Sequence, residues 1–174
     1  FERLKRWLAL GDSLGVRMFE LSHLFTQWGA AHAPKIVATR EDGSIVRIFG
    51  WDTDATGPGY VAFLDAFLPE LTGFLRQAGF QNRVLYHVSD EPSLEHEQAY
   101  QSAAALLRRH IGDAPVLDAL SDFTFFEKGL VANPVPANNH IQPFLDAGIP
   151  NLWTYYCCAQ NQLVSNRFFS MPSA

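Results

Sequence analysis

An α/β fold built on parallel strands is what this sequence predicts, and three features predict it. Strand-like apolar runs alternate with helical patterns along the 174 residues, an order that implies parallel strands joined by right-handed crossovers. The run Arg83–Ser89 is nearly continuous in apolar residues through Val84, Leu85, Tyr86 and Val88, which suits a strand covered on both faces. Two β-rich runs, Lys35–Thr39 and Ser44–Phe49, interrupt the alternation around the turn residues Glu41-Asp42-Gly43, which predicts a β-hairpin insertion at the edge of the domain. About five parallel strands are visible, enough for an open sheet or for part of a (β/α)₈ barrel.

The elements follow in order. Leu4, Trp7, Leu8 and Leu10 give Glu2–Asp12 a helical stripe that Gly11 or Gly15 ends. Val16–His23 is a strand, too short for a helix and introduced by Gly15. After the hairpin, Gly50–Gly59 is loop-like. Tyr60, Phe63, Leu64, Phe67, Leu68, Leu71, Phe74 and Leu75 then recur at helical spacing up to Gly79, a natural residue to follow a helix end. Pro69 inside that pattern is expected to kink the helix or split it. The strand Arg83–Ser89 leads to a helix that starts near Pro92 and Ser93 and closes on Arg108 and Arg109, with Tyr100, Ala103, Ala104, Leu107 and Ile111 as its buried stripe. Further strands are expected at Val116–Leu120, Val135–Ala137 and Leu152–Cys157, with short helical pieces at Phe123–Gly129 and His140–Ala147.

Composition narrows the function classes. Hydrophobic residues at 48% and charged residues at 18% describe an ordinary globular domain, and 174 residues suffice for one. A net charge of −5 argues against a nucleic-acid partner, which calls for a basic face. No stretch approaches the ~18 consecutive apolar residues of a membrane span. The chain begins at Phe1 in mid-helix pattern and ends at Ala174 without a closing element, so it reads as a single catalytic-type domain that is a piece of a longer protein. No basic segment followed by an apolar one announces a signal peptide; the compartment stays open, with a lean toward the cytoplasm. Cys157 and Cys158 are neighbours, a poor geometry for bridging each other, and read as small buried strand residues. None of the six histidines shows HExxH spacing, so neither metal nor other cofactor is expected; His96 and His110 read as solvated helix residues. Oligomeric state is not legible.

Catalytic groups in parallel α/β folds sit on the loops after the strands. Those positions offer Ser22 and His23; then His87, Ser89, Asp90 and Glu91; then Asp118, Ser121 and Asp122; then Asn138, Asn139 and His140; then Trp153, Tyr155 and Tyr156. Carboxylates, amides and aromatic faces on one rim suit a polyhydroxylated ligand. The densest cluster is His87-Val88-Ser89-Asp90-Glu91-Pro92. Side chains alternate along a strand, so Asp90 and Glu91 reach one ligand only if the backbone leaves β geometry there, which Pro92 favours. A carboxylic acid beside an ionised carboxylate is what glycoside cleavage requires. The plainer alternative is an acidic pair that caps the following helix.

Five ordered strings carry a family resemblance: Phe19-Glu20-Leu21-Ser22-His23-Leu24-Phe25, His87-Val88-Ser89-Asp90-Glu91-Pro92, Asn138-Asn139-His140, Leu152-Trp153-Thr154-Tyr155-Tyr156-Cys157-Cys158 and Ser165-Asn166-Arg167-Phe168. Over nearly its whole length the chain resembles the catalytic domain of family 123 glycoside hydrolases, which overlaps a group of bacterial domains of unknown function. The resemblance implies a partial (β/α)₈ TIM barrel with Val16–His23 as third strand and Leu152–Cys157 as seventh, strands one, two and eight lying outside these residues. It implies exo-hydrolysis of β-linked N-acetylgalactosamine by substrate-assisted retention through an oxazolinium intermediate. Asp90 would orient the acetamido group and stabilise its developing charge; Glu91 would serve as acid and then base. His23, Asn138, His140, Trp153 and Tyr155 are the expected substrate-binding residues. Two rival readings stand beside this one: a conventional retaining glycosidase with Asp118 or Asp122 as nucleophile, and a carbohydrate-binding domain without turnover.

Overall fold

A computed structural model describes residues 1–155. Helix α1 (Glu2–Ser13) runs through Gly11 instead of ending there, and a side chain at that position would come within 2.6 Å of the Phe19 ring. Glycine thus lets α1 lie close on the first strand. The chain turns only at Gly15, where φ is +86°.

Strand β1 (Phe19–Glu20) pairs in parallel with β4 (Val84–Leu85), Phe19 opposite Val84 and Glu20 opposite Leu85. Strand β5 (Asp118–Ala119) pairs in parallel with β6 (Pro134–Val135). Parallel bridges from Tyr86 to Val116 and from Ala137 to Tyr155 extend the series. Parallel neighbours therefore follow chain order, as alternating strands and helices require. The described residues do not close a barrel; what they form is a mixed α/β structure with parallel strand pairs. Each strand is shorter than its apolar run predicts. Beyond Tyr86, for instance, the N–H groups of Val88 and Ser89 donate to the Asp118 carboxylate instead of to a neighbouring strand.

The hairpin forms as predicted, from β2 (Ile36–Thr39) and β3 (Ile45–Phe49), antiparallel, with Gly43 at φ +82° and Asp42 Oδ1 accepting from Ser44 N at 2.9 Å. Helix α2 (Pro58–Gln77) is a single 20-residue element, so Pro69 does not split it. The carbonyl that loses its helical donor belongs to Asp65, which is exposed, as is Pro69, so water can satisfy it. Buried Leu64, Leu68 and Leu71 anchor the helix on both sides of the proline. Its end is a Schellman turn: Gly79 N donates to Arg76 O at 3.2 Å and Phe80 N to Leu75 O at 2.8 Å.

A short 3₁₀ turn, Leu94–His96, leads into α3 (Glu97–Ile111). Its buried residues are Tyr100, Ala103, Leu106 and Leu107, whereas Ala104 and Ile111, expected in that stripe, are only half-buried. The reason is that α3 faces two neighbours, α2 on one side and Phe125 edge-on to Tyr100 on the other. Short helices α4 (Phe123–Glu127) and α5 (Gln142–Asp146) follow, joined by contacts among Phe123, Phe126 and Phe144. The core lies between the strands and α2 and α3, with Val84, Tyr86, Val88, Val116 and Leu120 turned into it. His110 and His96 are not the solvated residues expected. His110 Nε2 meets Asp65 at 2.7 Å between α3 and α2, and His96 packs on Gly29. Tyr156, Cys157, Cys158 and Ser165-Asn166-Arg167-Phe168 lie outside the described residues. Among the described residues no helix is long and apolar enough to cross a membrane.

Candidate active site

Asp90 and Glu91 follow β4, at the end of the sheet where parallel folds carry their chemistry. The helix that comes next does not use them as caps. Its first turn begins at Ser93, whose hydroxyl and N–H both pair with His96 in a capping box, leaving the two carboxylates free of that duty.

Glu91 holds the backbone feature that the pair needs. Its φ is +50°, a left-handed conformation that costs a non-glycine residue roughly 1–3 kcal/mol. This turn takes the side chain out of strand alternation and across to the end of β5. There Glu91 N donates to Ala119 O at 2.9 Å, while its carboxylate accepts from Ser121 Oγ at 2.9 Å and from Ser121 N at 3.3 Å. Asp90 is fixed from the opposite side, its carbonyl accepting from Trp28 N at 2.7 Å. Both carboxylate-bearing residues are half-buried.

Behind them lies a buried polar layer. His87 is enclosed, with Nε2 2.8 Å from Glu20 Oε1 and Nδ1 3.7 Å from Asp118 Oδ1. The Asp118 contact is too long for a hydrogen bond and the Glu20 contact is not one either, so both are charge contacts; the ring nitrogens have no hydrogen-bond partner among the described residues. Burial opposes charging of this imidazole, but Asp118 and Glu20 outweigh it and raise its pKa above the ordinary value. Asp118 itself is fully buried and accepts from Val88 N at 2.9 Å, Ser89 N at 3.2 Å and Tyr100 OH at 2.6 Å. It faces the core, not the rim. Asp122 caps α4 through Thr124 N at 3.1 Å.

His23 follows β1 and meets His87 edge-on, ring centroids 4.7 Å apart. Loss of water on the packed side, then the neighbouring His87, lower its pKa, although the residue as a whole is exposed, so the ring is neutral at neutral pH. Asn138 follows β6. Its backbone N donates to Tyr155 O at 3.1 Å, and its buried Oδ1 has no partner among the described residues. His140 is exposed on the next turn. Tyr155 is half-buried at the bridge to Ala137. Trp153 is placed differently, in a cleft of about 410 Å³ with Leu85, Leu117, Val135 and Leu152 that neither carboxylate lines. A cavity of about 620 Å³ is lined mostly by residues that precede β4 and β5, among them Gln81, Asn82 and Asp113, and neither carboxylate lines it.

Sequence reasoning places Ser121 on the rim without a role and does not single out Trp28 or Glu20. Glu20 and Trp28 act through contacts with residues more than 60 positions away, which no local pattern announces.

Paired carboxylates, imidazoles and an amide thus stand at the ends of neighbouring parallel strands, a set of groups suited to acid/base chemistry. The family model described as glycoside hydrolase 123, catalytic domain, matches residues 1–174, and the chain belongs to that family. It is therefore a glycosidase-family domain whose substrate class is carbohydrate. No curated protein matches the chain.

Proposed function

We propose that this domain is an exo-acting β-N-acetylgalactosaminidase that works by substrate-assisted retention. The observation that carries this reading is Glu91, turned out of its strand by a left-handed backbone and oriented by Ser121 beside the half-buried Asp90. The 2-acetamido oxygen of the sugar attacks the anomeric carbon, and the bond to the leaving oxygen breaks as Glu91 protonates that oxygen. Asp90 accepts the acetamido N–H and stabilises the positive charge of the oxazolinium. Glu91 then takes a proton from water, which opens the ring at the same carbon and restores the β configuration. With the sugar as nucleophile, no second carboxylate has to stand ~5 Å across from the acid.

Conventional retention is disfavoured, because Asp118 is enclosed by three donors and Asp122 is engaged as a helix cap. The neutral ring of His23 and the Oδ1 of Asn138, which has no partner among the described residues, suit sugar hydroxyls, with His140 and Tyr155 as further contacts; Trp153, in its separate cleft, stands apart from this set. The domain is also read as an arc of a (β/α)₈ barrel. Supporting that are parallel neighbours in chain order and an open sheet face bearing Leu85, Leu117 and Val135.

The test is hydrolysis of a 4-nitrophenyl β-N-acetylgalactosaminide followed by NMR. The first product should be the β anomer, and Glu91→Gln should lower turnover by ~10²–10⁴-fold while sugar binding persists. An α anomer as first product would sink retention. Unchanged turnover in the variant would remove Glu91 from the role of acid, and binding without turnover in the parent would favour a carbohydrate-binding domain.

A further inference from the structure

We infer that Trp28 and Trp51 form an aromatic platform for the leaving-group side of the substrate, a second saccharide ring attached through the bond that Glu91 protonates. The inference rests on the glycosidase reading above and assigns a subsite to two residues outside that mechanism. Trp28 is 58% exposed and Trp51 54% exposed, and their indoles meet edge-to-face at 6.4 Å between centroids. Two large rings left in water are costly, roughly 25 cal/mol for each Å² of apolar surface, a cost that stacking on the apolar face of a sugar ring would offset.

Position identifies that ligand. Trp28 N donates to the carbonyl of Asp90 at 2.7 Å, so the platform is attached to the backbone of the catalytic pair. Its loop is held tightly. Ser89, fully buried beside the pair, donates to Thr26 O at 3.1 Å and accepts from Gly29 N at 3.0 Å. Gly29 has φ +104°, and a side chain there would come within 2.3 Å of His96. Trp28 itself has φ +58°, a conformation that a bulky residue adopts only when its surroundings impose it. A strained, clamped backbone that presents an exposed indole is a built feature. Because the rings stand at the rim and not in the core, they meet the part of the substrate that protrudes, which in an exo-enzyme is the leaving saccharide. The perpendicular arrangement leaves one indole face for the apolar side of a pyranose and uses the other ring as its buttress.

The experiment compares two substrates in the full chain and in Trp28→Ala, Trp51→Ala and Trp28→Phe. One is a disaccharide with β-linked N-acetylgalactosamine at its non-reducing end; the other is β-N-acetylgalactosaminyl fluoride, whose leaving group offers the platform nothing. Both alanine variants should lose about tenfold in kcat/KM on the disaccharide, the scale of one stacked ring, keep the fluoride rate within about twofold, and be restored by phenylalanine. Equal losses on both substrates, or no loss on either, would overturn the platform. Should the parent hydrolyse neither substrate, the proposed activity falls and the platform is judged by binding. Calorimetric titration with the same disaccharide should then show binding to the parent that is about tenfold weaker in Trp51→Ala, whose backbone is unstrained; equal affinities, or no binding by the parent, would overturn the platform as well.

Discussion

Glu91 depends on Ser121 for its orientation, and that dependence is measurable. The Ser121 hydroxyl donates to Glu91 Oε1 at 2.9 Å, and a hydrogen bond to a charged group contributes roughly 1.5–3 kcal/mol. Ser121→Ala should therefore lower kcat by about ten- to a hundredfold with KM little changed. A variant with unaltered kcat would show that Ser121 does not position the acid. His87 gives a second test, through stability. Its folded pKa is raised above the ordinary 6.5, so the charged ring stabilises the fold below that value, and this contribution is lost as pH rises through the folded pKa. The Tm difference between the parent and His87→Phe should be widest below pH 6.5 and narrow above it; a difference constant with pH would contradict the account. At this scale the Asp90–Glu91 pair is legible in sequence, because a carboxylate pair before proline at a strand end is a local signal. The support is not. Ser121, Trp28 and Glu20 come from other loops and strands, and a left-handed Trp28 has no mark in sequence beyond the glycine that follows it.

Helices α2 and α3 form the wall against which the strands are held, with Leu64, Leu68 and Leu75 from one and Tyr100, Ala103 and Leu107 from the other in a single core. Leu107 is fully buried, and truncation to alanine should cost about 2–5 kcal/mol, read as a shift of the urea midpoint with the slope unchanged. A loss within ~0.5 kcal/mol would mean that α3 is not packed as described. Both helices are legible in sequence because their periodicity extends over several turns and Gly79 announces one end. The hairpin is legible through its turn residues. Strand lengths are not, since the N–H groups that would continue the ladder after Tyr86 are diverted to the Asp118 carboxylate. Pro69 misleads for a physical reason as well: on an exposed helix face, water replaces the donor that proline lacks.

Across the whole molecule, parallel strands in chain order bring His23, the carboxylate pair, Ser121 and Asn138 to the same end of neighbouring strands. The alternation of strands and helices makes that arrangement legible, whereas the expected barrel geometry is not seen, since the described residues form parallel strand pairs without closure. Family membership points to carbohydrate as the substrate class, and the mechanism proposed above has the sugar supply its own nucleophile. The most direct test is inhibition by an N-acetylgalactosamine-derived thiazoline, a stable mimic of the oxazolinium, assayed against the parent and Asp90→Asn. Substrate assistance predicts competitive inhibition far tighter than that by N-acetylgalactosamine, weakened at least tenfold by the substitution. An enzyme that hydrolyses the β-N-acetylgalactosaminide and is indifferent to the thiazoline would contradict it.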